Sequence, residues 1–283
     1  MMPRTLRQSV AVLVCLTGVL IGALPAAAAN NSGGVASGSA PSSPQTGGST
    51  SIPTAEPPII LSAGALTLRT SSAALEGHTL AFAGQAPARD ARRTITIERY
   101  DKSTGNWIAA ASAPINAHGA FRVNWRTNLA GRVSVRALVL QGAHARAAAS
   151  ENSDSSQAAE ITIYRPAIAT YFGTGFYGQK TACGQTLKPQ VIGVANRTLP
   201  CGTLIEVSYA ARRLTLPVID RGPYANGASW DLTEAAARSL DIAETVRIGT
   251  LVVGATANVP TLGLSPQALE TEAQAALTGG SAP

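Results

Sequence analysis

Between residues 65 and 164 apolar and polar positions alternate in short runs. Residues 65–70, 79–84, 93–100, 107–112, 120–125, 132–140 and 159–164 each read as a strand. In the third of these, Ile95 and Ile97 alternate with Thr94 and Thr96. Turn residues such as Ser103-Thr104-Gly105 and Ala117-His118-Gly119 separate the runs. Seven short strands at this spacing predict an all-β unit, a β-sandwich over residues 59–164.

Residues 165–259 follow a different rhythm. Runs at 203–209 and 214–220 predict two strands joined by a tight Ala-Ala-Arg-Arg connection, with Pro217 implying an edge or irregular position. Thr233 is a candidate N-cap for a short helix over 234–240, and 248–253 reads as a closing strand. The ends differ again. An apolar run at 10–24 follows Arg4 and Arg7 and precedes an Ala string, the pattern of a secretion signal (1–29) cut after Ala29. The run is short for a spanning helix, and Pro25 favours cleavage, so no stable membrane insertion is expected afterwards. Val14 before Cys15 disfavours a lipoprotein. Residues 30–58 are a Ser/Gly/Pro-rich linker unable to support a core. Residues 260–283 read as a flexible tail, in which 265–277 could form a short helix.

Composition narrows the function classes. With 13% charged and 5% aromatic residues, 27 Gly and 17 Pro, the chain is no coiled coil. A net charge of +6 with 45% apolar residues also excludes a fully disordered chain. Only three of the 22 basic residues are Lys, and the Arg are scattered, so nucleic acid is not expected as a partner. A mildly cationic protein beside an anionic envelope polymer is the better match. Of three cysteines, Cys15 leaves with the signal. Cys183 and Cys201 remain in an oxidising setting, for which one disulfide is the default. His78, His118 and His144 all precede residue 165 and share no metal-ligand spacing, so neither metal nor cofactor is expected. Trp107 and Trp125 read as core aromatics rather than a sugar platform.

Acid/base chemistry in 165–259 therefore falls to six carboxylates: Glu206, Asp220, Asp231, Glu234, Asp241 and Glu244. The last three, on or after the helix, read as solvated charges or dipole partners, and Glu206 as exposed on its strand. Asp220 ends an apolar strand before Arg221-Gly222-Pro223, a position where a carboxyl can be held protonated. It could equally cap the turn or pair with Arg221. Asp231 precedes the helix start and could orient the site or cap the helix near Thr233. The Gly-rich stretch from Gly173 to Gly184 lacks the features of a phosphate loop.

The ordered motifs Y-F-G-x-G-F-Y-G, T-A-C-G, V-A-N-R-T-L-P-C-G-T, V-I-D-R-G-P-Y and D-L-T-x-A-A-A resemble the RlpA-like (rare lipoprotein A) domain. The family is a six-stranded double-psi β-barrel with a short helix, related to expansins; the preceding sandwich resembles a bacterial immunoglobulin-like domain. The resemblance implies a lytic transglycosylase of the extracytoplasmic envelope. Such an enzyme cleaves MurNAc–GlcNAc bonds of peptidoglycan glycan strands and leaves 1,6-anhydro ends. It points first to Asp220 as the catalytic acid and then to Asp231. It also implies pairing of Cys183 with Cys201. Asn196 stands where many members carry His, which favours an alternative, a non-catalytic expansin-like module that binds or loosens wall glycan. Asn196, Arg221, Tyr171, Phe172, Tyr224 and Trp230 are the substrate-binding candidates, Trp230 beside Asp231 being best placed for stacking. The sandwich is expected to space the barrel or dock it to a wall or envelope component.

Overall fold

The computed structural model describes residues 54–55, 58–140, 155–224 and 227–278. The signal segment, most of the linker and His144 lie outside the described residues. In chain order the strands are β1 (Thr54–Ala55), β2 (Pro58–Ala63), β3 (Leu66–Ser71), β4 (Ala73–Leu75), β5 (Thr79–Gln85), β6 (Thr94–Asp101), β7 (Asn106–Pro114) and β8 (Ala120–Arg126). They continue as β9 (Gly131–Leu140), β10 (Ala159–Phe172), β11 (Val194–Ala195), β12 (Thr203–Tyr209), β13 (Arg212–Asp220), β14 (Trp230–Thr233) and β15 (Val246–Ala255). Two helices, α1 (Glu234–Leu240) and α2 (Pro266–Thr278), complete the described elements.

Strict alternation decides the first half. β3 and β8 bury every second side chain, and Leu66, Leu68, Phe82, Ile95, Ile97 and Val123 are among the residues that meet in one apolar core. That core lies between the antiparallel sheet β2-β3-β5-β8 and a second sheet in which β9 joins β6 and β10. Trp125 is buried in it as expected. Trp107 is not: it is half-buried, with Tyr100 edge-on at 5.4 Å and the Arg136 guanidinium 4.4 Å from its ring centre. Thr96 is buried despite its polar face because its hydroxyl bonds Ser112 at 2.9 Å.

β10 continues without a break from the sandwich into the second unit. Its residues 159–163 pair with β9, 165–169 with β15 and 169–172 with β14. The last pairing closes a ring of six strands in the order β10-β14-β11-β13-β12-β15, with the two pairs β10/β14 and β11/β13 parallel. This is the closed six-stranded double-psi barrel with one short helix. Its core gathers Ile205, Val207, Leu214, Leu216 and Leu232 under α1. Thr233 caps α1 as its sequence position implies. Its hydroxyl accepts the Ala236 N–H at 3.3 Å and that of Gly193 at 3.1 Å, fastening the helix start to the strand beside it.

Three expectations are corrected. Glu206 is buried, not exposed: its carboxylate accepts a short hydrogen bond from the Tyr164 hydroxyl and one from Arg132 at 3.2 Å, with Arg213 at 3.9 Å. These partners stand on β9, β10 and β13, so the junction of sandwich and barrel supplies the countercharge that its strand alone lacked. The tail has more order than expected. Leu262 and Leu264 are buried, and α2 lays Ala268 and Leu269 on them while Lys188 pairs with Glu272. Within the expected linker, Thr54 and Ala55 pair with Arg213 and Arg212 of β13.

Candidate active site

Short β11 lies between β13 and β14, and its Ala195 is registered against Asp220 on one side and Asp231 on the other. Two strand spacings therefore separate the aspartates, about 9.5 Å at the backbone, with only a methyl group between them. Both carboxylates open into one groove of about 970 Å³, walled also by Tyr171, Phe176, Tyr224 and Glu234.

The aspartates are held differently. Asp220 Oδ1 accepts two backbone N–H bonds, from Ala182 and from Arg221, each at 2.8 Å. The Ala182 donor belongs to a segment fixed by the Cys183–Cys201 disulfide, whose Cα atoms are 5.7 Å apart, and by the Cys183 N–H bond to Ile219 O at 3.3 Å. Asp231 Oδ1 accepts the Thr170 hydroxyl at 2.7 Å, a cross-strand partner in the β10/β14 ladder. Burial pushes the Asp231 carboxyl above its usual range; the Thr170 bond opposes this, and the charge of Asp220 adds to the rise. Among the described residues neither Oδ2 has a protein partner, so each is available to a ligand. There is no ion pair between Asp220 and Arg221. The Arg221 guanidinium turns back onto the carbonyls of Asn196 (3.4 Å) and Asp220 (3.3 Å) and onto Cys201 Sγ (3.3 Å).

The other candidates divide between groove and scaffold. Tyr171 (43% exposed) and Tyr224 (77% exposed) stand on the groove wall, the Tyr171 hydroxyl anchored to Ala243 O at 3.2 Å. Phe172 is half-buried, edge-on to Phe176. Trp230 is not a stacking platform, since it is 8% exposed and belongs to the barrel core. Adjacent side chains in a strand point to opposite faces, so an Asp231 facing the groove turns Trp230 inward. Asn196 is likewise absent from the groove wall. Its Oδ1 accepts the N–H groups of Thr198 (3.1 Å) and Leu199 (3.0 Å), and its Nδ2 donates to Ser229 O at 3.3 Å, which organises the 196–199 turn.

Sequence reasoning missed several contributors. Glu234, read there as solvated, forms part of the groove wall. It accepts bonds from Tyr177, Thr174 (3.3 Å) and Arg238 (3.0 Å), and the Tyr177 bond draws its carboxyl below the usual range. Gly173 makes this approach possible, because a Cβ there would lie 2.7 Å from the Glu234 Cβ. Arg197 straps the loop bearing Tyr224 through Pro223 O (2.8 Å) and Ala228 O (3.2 Å). Phe176 adds the exposed ring the motif reading passed over. The Glu234 helix-start position, its i,i+4 spacing from Arg238 and the Gly-rich loop were visible as signals; the other contacts link residues 26 to 60 positions apart.

No group of His, Cys, Asp and Glu among the described residues could hold a metal ion. Nor is any described helix long and apolar enough to cross a membrane.

Residues 167–254, nearly the whole barrel, match the family described as "Lytic transglycolase". The chain is 38% identical over 77 residues to the endolytic peptidoglycan transglycosylase RlpA of Campylobacter jejuni, covering 26% of this chain and 28% of that protein. It is 36% identical over 87 residues to the probable endolytic peptidoglycan transglycosylase RlpA of Synechocystis sp. (30% of this chain, 27% of that protein). Against the protein described in the same words from Aquifex aeolicus it is 40% identical over 79 residues (27% and 35%). The chain thus spans about a third or less of the length of these curated relatives. Among solved structures, a chain described as "Biofilm associated protein - BSP domain" covers 71% of this chain and 24% of its own length, at 12% identity and a TM-score of 0.21, too low to inform the fold.

Proposed function

We propose that the barrel is a peptidoglycan lytic transglycosylase of the extracytoplasmic envelope. The observation that carries the reading is the aspartate pair flanking Ala195 in an open groove, one member of which is raised by burial. The relatives matched over this same barrel are named peptidoglycan transglycosylases, which agrees.

A glycan strand lies along the groove with sugar faces against Tyr171, Phe176 and Tyr224. Asp231, kept protonated longer than an ordinary carboxyl, gives its proton to the glycosidic oxygen as the C1–O bond breaks. The C6 hydroxyl of the same sugar bonds to C1, and its proton passes to the Asp220 carboxylate, fixed by two amides with Oδ2 open. The product is a 1,6-anhydro end, and no water is consumed. This reverses the order suggested by the motifs alone, since burial makes Asp231 the better proton donor. These steps route both protons through the two aspartates, and the Asn196 side chain serves the 196–199 turn instead.

The test is mass spectrometry of purified sacculi incubated with the protein. Anhydro-muropeptides are expected, falling about 10²–10⁴-fold in Asp231→Asn and in Asp220→Asn. Binding to sacculi without any released fragment overturns the enzyme and leaves the wall-loosening module.

A further inference from the structure

The outer face of the sheet β2-β3-β5-β8 is charged in one sense only. Arg69 of β3 and Arg122 and Arg126 of β8 are exposed there. Register sets Arg69 against Ala83 of β5 and Ala83 against Arg122, so two guanidinium groups flank one methyl, about 10 Å apart at the backbone. Arg126 follows four residues along β8, about 13 Å further. The other outward positions of the sheet are Pro58, Ile60 and Ser62 of β2, Thr67 and Ser71 of β3, Thr79, Ala81 and Gln85 of β5, and Ala120 and Asn124 of β8, with no carboxylate. None of the three arginine side chains has an ion pair or hydrogen bond among the described residues. The opposite sheet behaves otherwise: Arg136 pairs with Glu98 at 2.8 Å and Arg132 with Glu206 at 3.2 Å.

We infer that this face docks the protein onto the wall by binding the carboxylates of peptidoglycan, an inference that rests on the proposed substrate of the groove. Guanidinium forks match carboxylates bidentately, and three on one face without a carboxylate give an uncancelled field. Each contact alone is weak. A polymer that repeats its carboxylates engages several at once and holds the groove at high local concentration of glycan. The small Ala81 and Ala83 leave the arginines standing clear, so a broad polymer meets them together.

The experiment is co-sedimentation of the full chain with sacculi stripped of phosphate-containing polymers, beside turnover of short soluble glycan fragments. Binding should weaken steadily as salt is raised, because exposed ion pairs are screened. Replacing the three arginines together (Arg69→Gln, Arg122→Gln, Arg126→Gln) should lower binding at least about tenfold, with soluble turnover and melting temperature unchanged. Three Arg→Lys changes at the same positions should leave binding between that of the wild type and the Gln variant, because charge is kept but the bidentate fork is lost, and amidating the sacculus carboxylates should abolish it. Equal binding by the Gln variant overturns the inference. So does an equal loss in a control that removes three charges elsewhere (Arg92→Gln, Arg99→Gln, Lys102→Gln), as does binding confined to inorganic polyphosphate or nucleic acid. Absence of soluble turnover with intact arginine-dependent binding overturns the enzyme but leaves the dock standing.

Discussion

At residue scale the site rests on one aspartate made costly to ionise and another held by two amides. The linkage sign follows from Asp231. A carboxyl whose pKa is raised on folding stabilises the folded state in full below its unfolded value of about 3.9, and this contribution is lost as pH climbs through the raised folded value. Asn is neutral throughout and can still accept the Thr170 bond. Asp231→Asn should therefore melt above the wild type at pH 7, and the gap should close as the pH drops below about 4. Melting curves at the two pH values check it; a pH-independent difference would mean that Asp231 is not raised. The pair was legible in the sequence because Asp220 ends an apolar strand and Asp231 sits at a helix start. Its division of roles was not, because burial of Asp231 and the Thr170 bond come from β10, about 60 residues away in the chain. Trp230 shows the same limit: it was expected to stack beside Asp231, and only the pairing of β14 inside the barrel turns it into the core.

Among the elements, β11 is the most consequential, two residues that bring β13 and β14 together at the site. No periodicity announces a two-residue strand, and it escaped the sequence reading, as did β2, β4 and β14. The longer elements 203–209 and 234–240 were read to the residue, because alternation and a capping Thr are local signals. The disulfide acts at this scale too. It closes an 18-residue separation and carries the segment that supplies the Ala182 donor to Asp220. Replacing both cysteines by Ser should cost about 3 kcal/mol on the chain-entropy model. Turnover should also drop at a temperature where the variant remains folded, because the amide would no longer be fixed against Asp220. Denaturant titration and an activity assay on the same sample separate the two effects.

For the whole molecule, the continuous β10 and the Arg132–Glu206–Tyr164 contacts link sandwich and barrel. Calorimetry should show a single transition for the described body. Tyr164→Phe, which removes a partner from a buried carboxylate, should lower its stability by about 1–3 kcal/mol. Two resolved transitions in the wild type would separate the units. The sequence by itself determined the all-β class, the run of sandwich strands, the cap of α1, the cysteine pair and the short list of carboxylates. Each of these depends on near neighbours in the chain or on simple counting. Tertiary structure alone decided that Glu206 is buried, that Asn196 serves a turn, that Trp230 faces the core, and that Asp220 and Asp231 stand across one alanine. Those outcomes depend on which strands lie side by side once the barrel closes, and the closing pair β10/β14 joins segments some 60 residues apart. Local pattern carries no information at that range.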